Sequence, residues 1–409
     1  MRGPDLVGFF RDKNYYRRNI SVNYIYMFLQ SFNITQGYWM IFLSSKGMNL
    51  IQLGILEGIF HATSFLMETP TGAIADIFGR KTSRILGRFF IMIYISIMLF
   101  GTSFAHFLIA FLFCAIGWNL ESGAGDALVY DSLLEIKEED RYMKVNGWLE
   151  VTYQIATAMA LIIGGFIAVR SYNMLFSSQI LIILSGAAAA LLFKETCIGR
   201  EHVTKEINIF SSLKNQYVDS IKIVKGNHRL IYMILLLNAL GVFTTTSFFY
   251  MQIYCKNNSV NEWKIGIIFA ISCVIGAIGG VSAHRIEKIV KERKLLLSIP
   301  IAIMLVMWGM IDFKTAIFSF MFLGFFDSIL CVVYTDYINR LIPSSKRATL
   351  LSFSSMVFSF FMLLIFPVFG TIGEYFSMEY AFAFIAIVST GLVIANIYIL
   401  KRNKNNAND

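Results

Sequence analysis

Residues Gly72 to Arg84 read GAIADIFGRKTSR, a charged interruption between two apolar stretches, LIQLGILEGIFHATSFLM before it and ILGRFFIMIYISIMLF after it. Each residue type has a physical use at such a junction. Gly72 allows a helix end to approach a neighbour closely, and Gly79 can adopt the left-handed conformation of a tight loop. Asp76 can sit against a helix N-terminus, while Arg80, Lys81 and Arg84 can meet acidic groups at a membrane surface. The stretch reads as a short turn between two helices, and the question it sets is whether both flanks cross a bilayer.

Composition answers that they do. The 409 residues are 56% hydrophobic and 15% charged with a mean hydropathy of +0.63, against about 25% charged in an ordinary soluble domain. A hydrocarbon core of about 30 Å needs about 20 apolar residues per helix. Runs of that length predict twelve spans at about 20–43, 50–75, 86–104, 107–133, 147–169, 173–193, 230–254, 265–283, 295–312, 315–339, 348–372 and 380–400. The long polar connection 194–229 separates an N-terminal half, 1–193, from a C-terminal half, 230–409. The start, MRGPDLVGFFRDKNYYRRN, is basic and mixed rather than a cleavable signal, so the first span is expected to direct insertion. The five cysteines have no CxxC or Cys/His ligand spacing and read as small packing residues.

The net charge of +9 is topological. Assigned alternately to the two sides, thirty of the 35 Lys and Arg fall with the termini, and only Lys46, Arg170, Lys256, Lys264 and Lys314 fall opposite. The positive-inside rule then places both termini in the cytoplasm. Nucleic acid is not the expected partner; the lipid bilayer is. The same count predicts that every charge deep in the membrane is acidic.

The two halves echo one another. Gly72 to Asp76 corresponds to Gly280 to His284, and Glu121 and Asp131 find Asp327 and Asp336 at closely similar offsets. Parallel six-span repeats are a mark of one transporter architecture, with its site between the halves near mid-membrane. Through GAIADIFGRKTSR the chain resembles the major facilitator superfamily, and the six-plus-six arrangement extends that resemblance over essentially the whole length. It implies an all-α polytopic membrane protein with twelve transmembrane helices in two six-helix repeat halves. It also implies that Gly72, Asp76, Gly79, Arg80, Lys81 and Arg84 latch the inner gate when the cavity faces outward. A second family pattern, linked to drug/proton antiporters, falls on Gly147, Ala156, Ala160, Leu161, Gly164 and Gly165; its Gly-Pro core here reads Ala160-Leu161, which weakens that assignment.

Membrane carboxylates are costly, by roughly 2.5–3.5 kcal/mol at mid-helix on insertion scales, and so point to function. Glu121 and Asp327 lie near mid-span, whereas Asp131 and Asp336 lie near the cytoplasmic ends. At about 100° per residue Asp126 is turned about 140° from Glu121, so only one of the two can face a cavity. The resemblance implies that spans one, four, seven and ten line that cavity. Asp131 is expected as a gate partner of Arg80, Arg84 or Arg141, or else as a helix-end acid reaching water. Glu57 and Glu68 share a face of span two, and Glu150 reads as surface or gate. A carboxylic acid in an apolar cavity can hold a proton near neutral pH and release it when water arrives. With no basic partner in its span, Glu121 is the first expected proton-coupling residue and Asp327 the second, the alternative being a protonated carboxyl that only ties helices together.

Gln30, Asn33, Asp126 and Asn238 are the expected substrate contacts, with inter-helix hydrogen bonding as the plain alternative. The histidines show no metal spacing and no nucleotide loop or Ser-His-Asp order occurs, so no cofactor, metal or enzymatic activity is expected. The expected function is a proton-coupled secondary transporter, working as a monomer in the plasma membrane on a small-molecule substrate and protons. Export of lipophilic or cationic drug-like compounds is the leading form, because an acid-rich cavity attracts cations. The alternatives are a symporter importing a small neutral metabolite, and a non-transporting sensor or lipid flippase on the same scaffold.

Overall fold

The computed structural model describes residues 6–196, 228–341 and 347–405. Most of the expected 194–229 connection, residues 197–227, therefore lies outside the described residues. The N-terminal half comprises α1 (Leu6–Ser31), a short α2 (Trp39–Ser45), α3 (Leu50–Phe78), α4 (Arg80–Phe100), α5 (Phe104–Glu135), α6 (Tyr142–Arg170) and α7 (Tyr172–Leu191). The C-terminal half comprises α8 (His228–Asn257), α9 (Glu262–Val290), α10 (Glu292–Gly309), α11 (Phe313–Arg340), α12 (Arg347–Tyr375) and α13 (Met378–Asn405). Among the described residues ten helical stretches are long and apolar enough to cross a bilayer. The other two long helices miss for different reasons: α1 spends its first turns on Arg11, Lys13, Arg17 and Arg18, and the apolar part of α10 is only Lys294–Gly309.

The first span is not the continuous helix expected over 20–43. Asn33 Oδ1 accepts hydrogen bonds from the Thr35 N–H at 3.2 Å and the Thr35 hydroxyl at 2.7 Å. A short polar side chain bonding its own backbone offers an alternative to the helical ladder. The Ile34 N–H that the break exposes donates to Gln179 Oε1 of α7 at 3.0 Å. Irregular backbone at membrane depth is tolerated where other protein groups satisfy it in this way.

Helices α3 and α4 are joined by Gly79 alone, at φ +97°. The Glu195 carboxylate accepts from the N–H groups of Arg80, at 2.7 Å, and Lys81, at 3.0 Å, satisfying two orphan donors at the positive end of α4. The C-terminal half repeats this one-residue junction between α9 and α10, but at Lys291, with φ +64°. Gly280 to His284 therefore sits about one helical turn out of step with Gly72 to Asp76: seven residues separate Gly72 from its junction, and eleven separate Gly280 from its own.

The halves meet along two antiparallel seams. At the first, α3 runs against α12, with Gly54 and Gly58 packed on Pro367. At the second, Gly165 of α6 lies on the Glu262 and Trp263 backbone of α9, and Gly266 of α9 lies on the Leu161 carbonyl of α6. Small residues at such crossings let the backbones approach closely.

Candidate functional site

A cavity of about 280 Å³ lies between the halves. Its walls come from α6 (Tyr153, Gln154, Thr157), α8 (Thr244, Phe248, Phe249), α9 (Ser272, Cys273) and α11 (Phe320, Asp327, Ser328), with Gln36 entering from the break after α1. Spans seven and ten contribute as the resemblance implied. Among the described residues span four, helix α5, contributes none to the lining, whereas the fifth and eighth spans do. Among the described residues Asp327 is the only charged side chain in this lining, and its Oδ1 accepts a 2.6 Å hydrogen bond from the Thr244 hydroxyl.

Glu121 is elsewhere. It is buried inside the N-terminal half, where Arg88 Nη2 meets its Oε2 at 2.5 Å and the Tyr26 hydroxyl donates to the same oxygen at 3.0 Å. Arg88 Nε donates to the Tyr26 oxygen at 3.1 Å, closing the triangle. The expectation that every deep charge is acidic fails here, and with it the premise that Glu121 has no basic partner. The reason is local: the single-residue junction at Gly79 starts α4 at Arg80, six residues before the expected span, which carries Arg84 and Arg88 one and two turns into the bundle. Arg84, also buried, donates to Asn23 Oδ1 at 2.6 Å and stacks on the Tyr26 ring at 4.0 Å. A desolvated cation over an aromatic face recovers part of its lost hydration.

The other expected substrate contacts are occupied or remote. Asn33 is spent on the α1 break, and Asn238 Nδ2 donates to the Ile234 carbonyl at 2.8 Å and Ser354 Oγ at 2.9 Å, tying α8 to α12. Gln30 is part-buried on α1 and absent from the cavity lining. Asp126 lies on α5, and its side chain is outside the described residues.

At the face that carries the Gly79 and Lys291 junctions, Arg80 Nη1 pairs with Asp76 Oδ1 at 2.7 Å, and Arg80 Nε approaches Asp131 Oδ2 at 3.9 Å. Lys81 Nζ donates to the Leu191 carbonyl at 2.8 Å rather than to an acid. Arg84, as described, turns inward rather than toward an acidic surface group. A side chain at Gly72 would meet nothing within 4 Å among the described residues, which show no close neighbour of the kind expected there. Glu195 was missed by sequence reasoning because its value lies in reaching a helix start more than a hundred residues earlier, which no spacing reveals. Below this face Glu138 is held by Arg17 at 2.6 Å and Arg141 at 2.5 Å, and these hydrogen bonds pull its carboxyl below the usual range.

Glu57 is buried beside His61, with Oε1 and Nε2 at 3.5 Å. Glu68 Oε1 accepts from Ser352 Oγ of α12 at 3.5 Å, and Glu150 Oε1 accepts from Gln154 Nε2 at 2.9 Å. At the far end of the seams, the Glu374 carboxylate accepts from the Leu50 N–H at 2.8 Å, and Glu262 takes both the Tyr172 hydroxyl at 2.8 Å and Lys256 at 2.6 Å.

Known proteins agree with this arrangement. A relative from Bacillus subtilis (strain 168), an uncharacterized MFS-type transporter called YxaM, is 24% identical over 367 residues, covering 85% of this chain and 87% of its own. Among solved structures, the nucleoside transporter NupG superposes with a TM-score of 0.73 at 13% identity, covering 95% of this chain and 99% of that one. A D-xylose-proton symporter superposes with a TM-score of 0.67 at 14% identity, covering 93% and 95%. The profile of the Major Facilitator Superfamily matches residues 20–316, most of the chain, and with the twelve long helices in two halves about a central cavity this chain belongs to that superfamily.

Proposed function

We propose that this transporter exchanges protons for small amphiphilic cations, and that Asp327 serves both. The carrying observation is that, among the described residues, Asp327 is the sole charge on the cavity wall, held by the Thr244 hydroxyl and flanked by Phe248, Phe249 and Phe320. A lone carboxylate among aromatic faces attracts a cation electrostatically and through the ring quadrupoles. When the cation leaves, a proton can take its place, so the site need never hold an uncompensated charge away from water. Glu121, already neutralised by Arg88, is assigned to holding α1, α4 and α5 together instead.

The face carrying the Gly79 junction is read as cytoplasmic, in line with its excess of Lys and Arg. The contacts between halves cluster toward the opposite face, where Leu50 meets Glu374, Tyr172 meets Glu262, and Phe166 stacks on Trp263 at 6.2 Å. Together with Gly72, which meets nothing within 4 Å among the described residues, they support an inward-facing state of an alternating-access cycle.

A second reading has its own support. Gln36, Gln154, Thr157, Thr244, Ser272 and Ser328 give the cavity a hydrogen-bonding wall, which suits a neutral hydroxylated solute carried together with a proton. Proteoliposomes with an imposed pH gradient separate the two. Exchange predicts that ethidium moves against the proton flow, whereas symport predicts that a neutral solute such as uridine or D-xylose moves with it. Movement of neither class under either gradient polarity would refute proton coupling at this cavity.

A further inference from the structure

We infer that Glu57 and His61 form a second proton-binding site, separate from Asp327, whose occupancy controls opening of the α3/α12 seam. The inference rests on the reading that this chain moves protons, and it assigns the group that ties proton occupancy to the gate on the side away from the Gly79 junction.

The seam is continuous from its outer end. The Leu50 N–H meets Glu374, Gly54 and Gly58 meet Pro367, and the His61 ring meets Phe358 at 5.7 Å. Glu57 sits about 10 Å into α3 from Leu50, at about 1.5 Å per residue. Both Glu57 and His61 are 7% exposed. His61 Nε2 faces Glu57 Oε1, and His61 Nδ1 is buried with no hydrogen-bond partner.

Among the described residues no Lys or Arg pairs with this carboxylate. The titratable groups facing Glu57 from neighbouring helices are Tyr94 of α4, Cys114 of α5 and Tyr250 of α8. The Tyr250 hydroxyl is committed to the Phe366 carbonyl at 3.0 Å. Helix α12 has no charged residue between Arg347 and Glu374, α8 none between Arg229 and Lys256, and α4 none after Arg88.

The two proton occupancies differ in kind. With one proton on the pair, carboxylate and imidazolium neutralise each other and the only cost is the orphan Nδ1–H, about the cost of one unmade hydrogen bond. Without it, a single negative charge is left in an apolar seam, and burial of an isolated carboxylate costs far more than an orphan donor. Water reaches that charge only if α3 and α12 part. Proton binding therefore closes the seam and proton loss opens it toward the far face, where the released proton departs.

The test measures the distance between Ser45 and Phe376, at the outer ends of α2 and α12, by pulsed electron paramagnetic resonance. Spin labels attached through a ketone-bearing amino acid leave the native cysteines in place, and the full chain is reconstituted in lipid nanodiscs. The wild type is expected to pass from a short to a long distance as the pH is raised. Glu57→Gln, which cannot acquire the charge, is expected to keep the short distance throughout. Should it fail to fold, His61→Gln, which leaves the carboxylate to hold the proton alone, is expected to move the distance transition away from the wild-type midpoint. A wild-type titration in either variant overturns the proposal. Asp327→Asn separates this inference from the function it rests on: it is expected to lose coupled flux yet keep the distance titration, and loss of that titration in Asp327→Asn overturns the separateness of the two sites.

Discussion

Glu121 and Asp327 occupy corresponding depths in the fourth span of each half, yet their surroundings are opposite. The N-terminal copy is locked by Arg88 and Tyr26 inside its own half, whereas the C-terminal copy has a single hydroxyl donor and faces the cavity between halves. Repeated position thus does not carry repeated chemistry. What decides the role is whether a cation two turns along a neighbouring helix arrives to neutralise the acid, and among the described residues α4 supplies one, Arg88, to Glu121.

The largest effect expected from breaking this contrast is Asp327→Asn, which removes the one charge among the described residues of the cavity wall. Gradient-driven flux in proteoliposomes should fall at least ~10-fold while the protein stays folded, because an uncharged amide replaces a group whose single bond is to Thr244. Glu121→Gln should do the reverse. It strands Arg88 without its partner, at a cost on the order of 3–5 kcal/mol of stability, readable as a lowered Tm, while any protein that folds keeps its coupled flux.

The two junctions sharpen the comparison further. Gly79→Ala places a side chain at φ +97° and against the Glu195 carboxylate, so a loss of about 1–3 kcal/mol is expected. Lys291→Gly relieves the matching strain at φ +64° and should raise the Tm, by the equivalent of about 1 kcal/mol. The smallest effect belongs to Glu138→Gln. That carboxyl is held below its ordinary range by Arg17 and Arg141 on an exposed surface, so its contribution is present above the unfolded-state pKa, and it fades only as the pH falls through the lowered folded-state value. At neutral pH the Tm should change less than in any other variant named here.

The sequence carried the large-scale features because they are written in local pattern. Span-length apolar runs, the 72–84 junction with its glycine at positive φ, and the shared mid-span acids could all be read residue by residue. What could not be read depends on contacts between distant segments. Arg88 looked like a surface residue until the start of α4 was fixed, and Glu195 gains its role only from meeting that start. Asn33 looked like a substrate contact because nothing in its spacing reveals that it bonds its own backbone and breaks the first span. Gln36 and the α6 and α9 walls owe their place in the cavity to the way the halves lean together.

The central claim, that Asp327 is the acid that gains and loses a proton while Glu121 stays an ion-paired carboxylate, can be read without knowing the substrate. Infrared difference spectra recorded across a pH titration report the carbonyl stretch of a protonated carboxyl group directly. One titrating carboxyl band of the wild type is expected to disappear in Asp327→Asn and to persist in Glu121→Gln. Loss of the band in Glu121→Gln, with the wild-type spectrum intact in Asp327→Asn, would contradict the central claim.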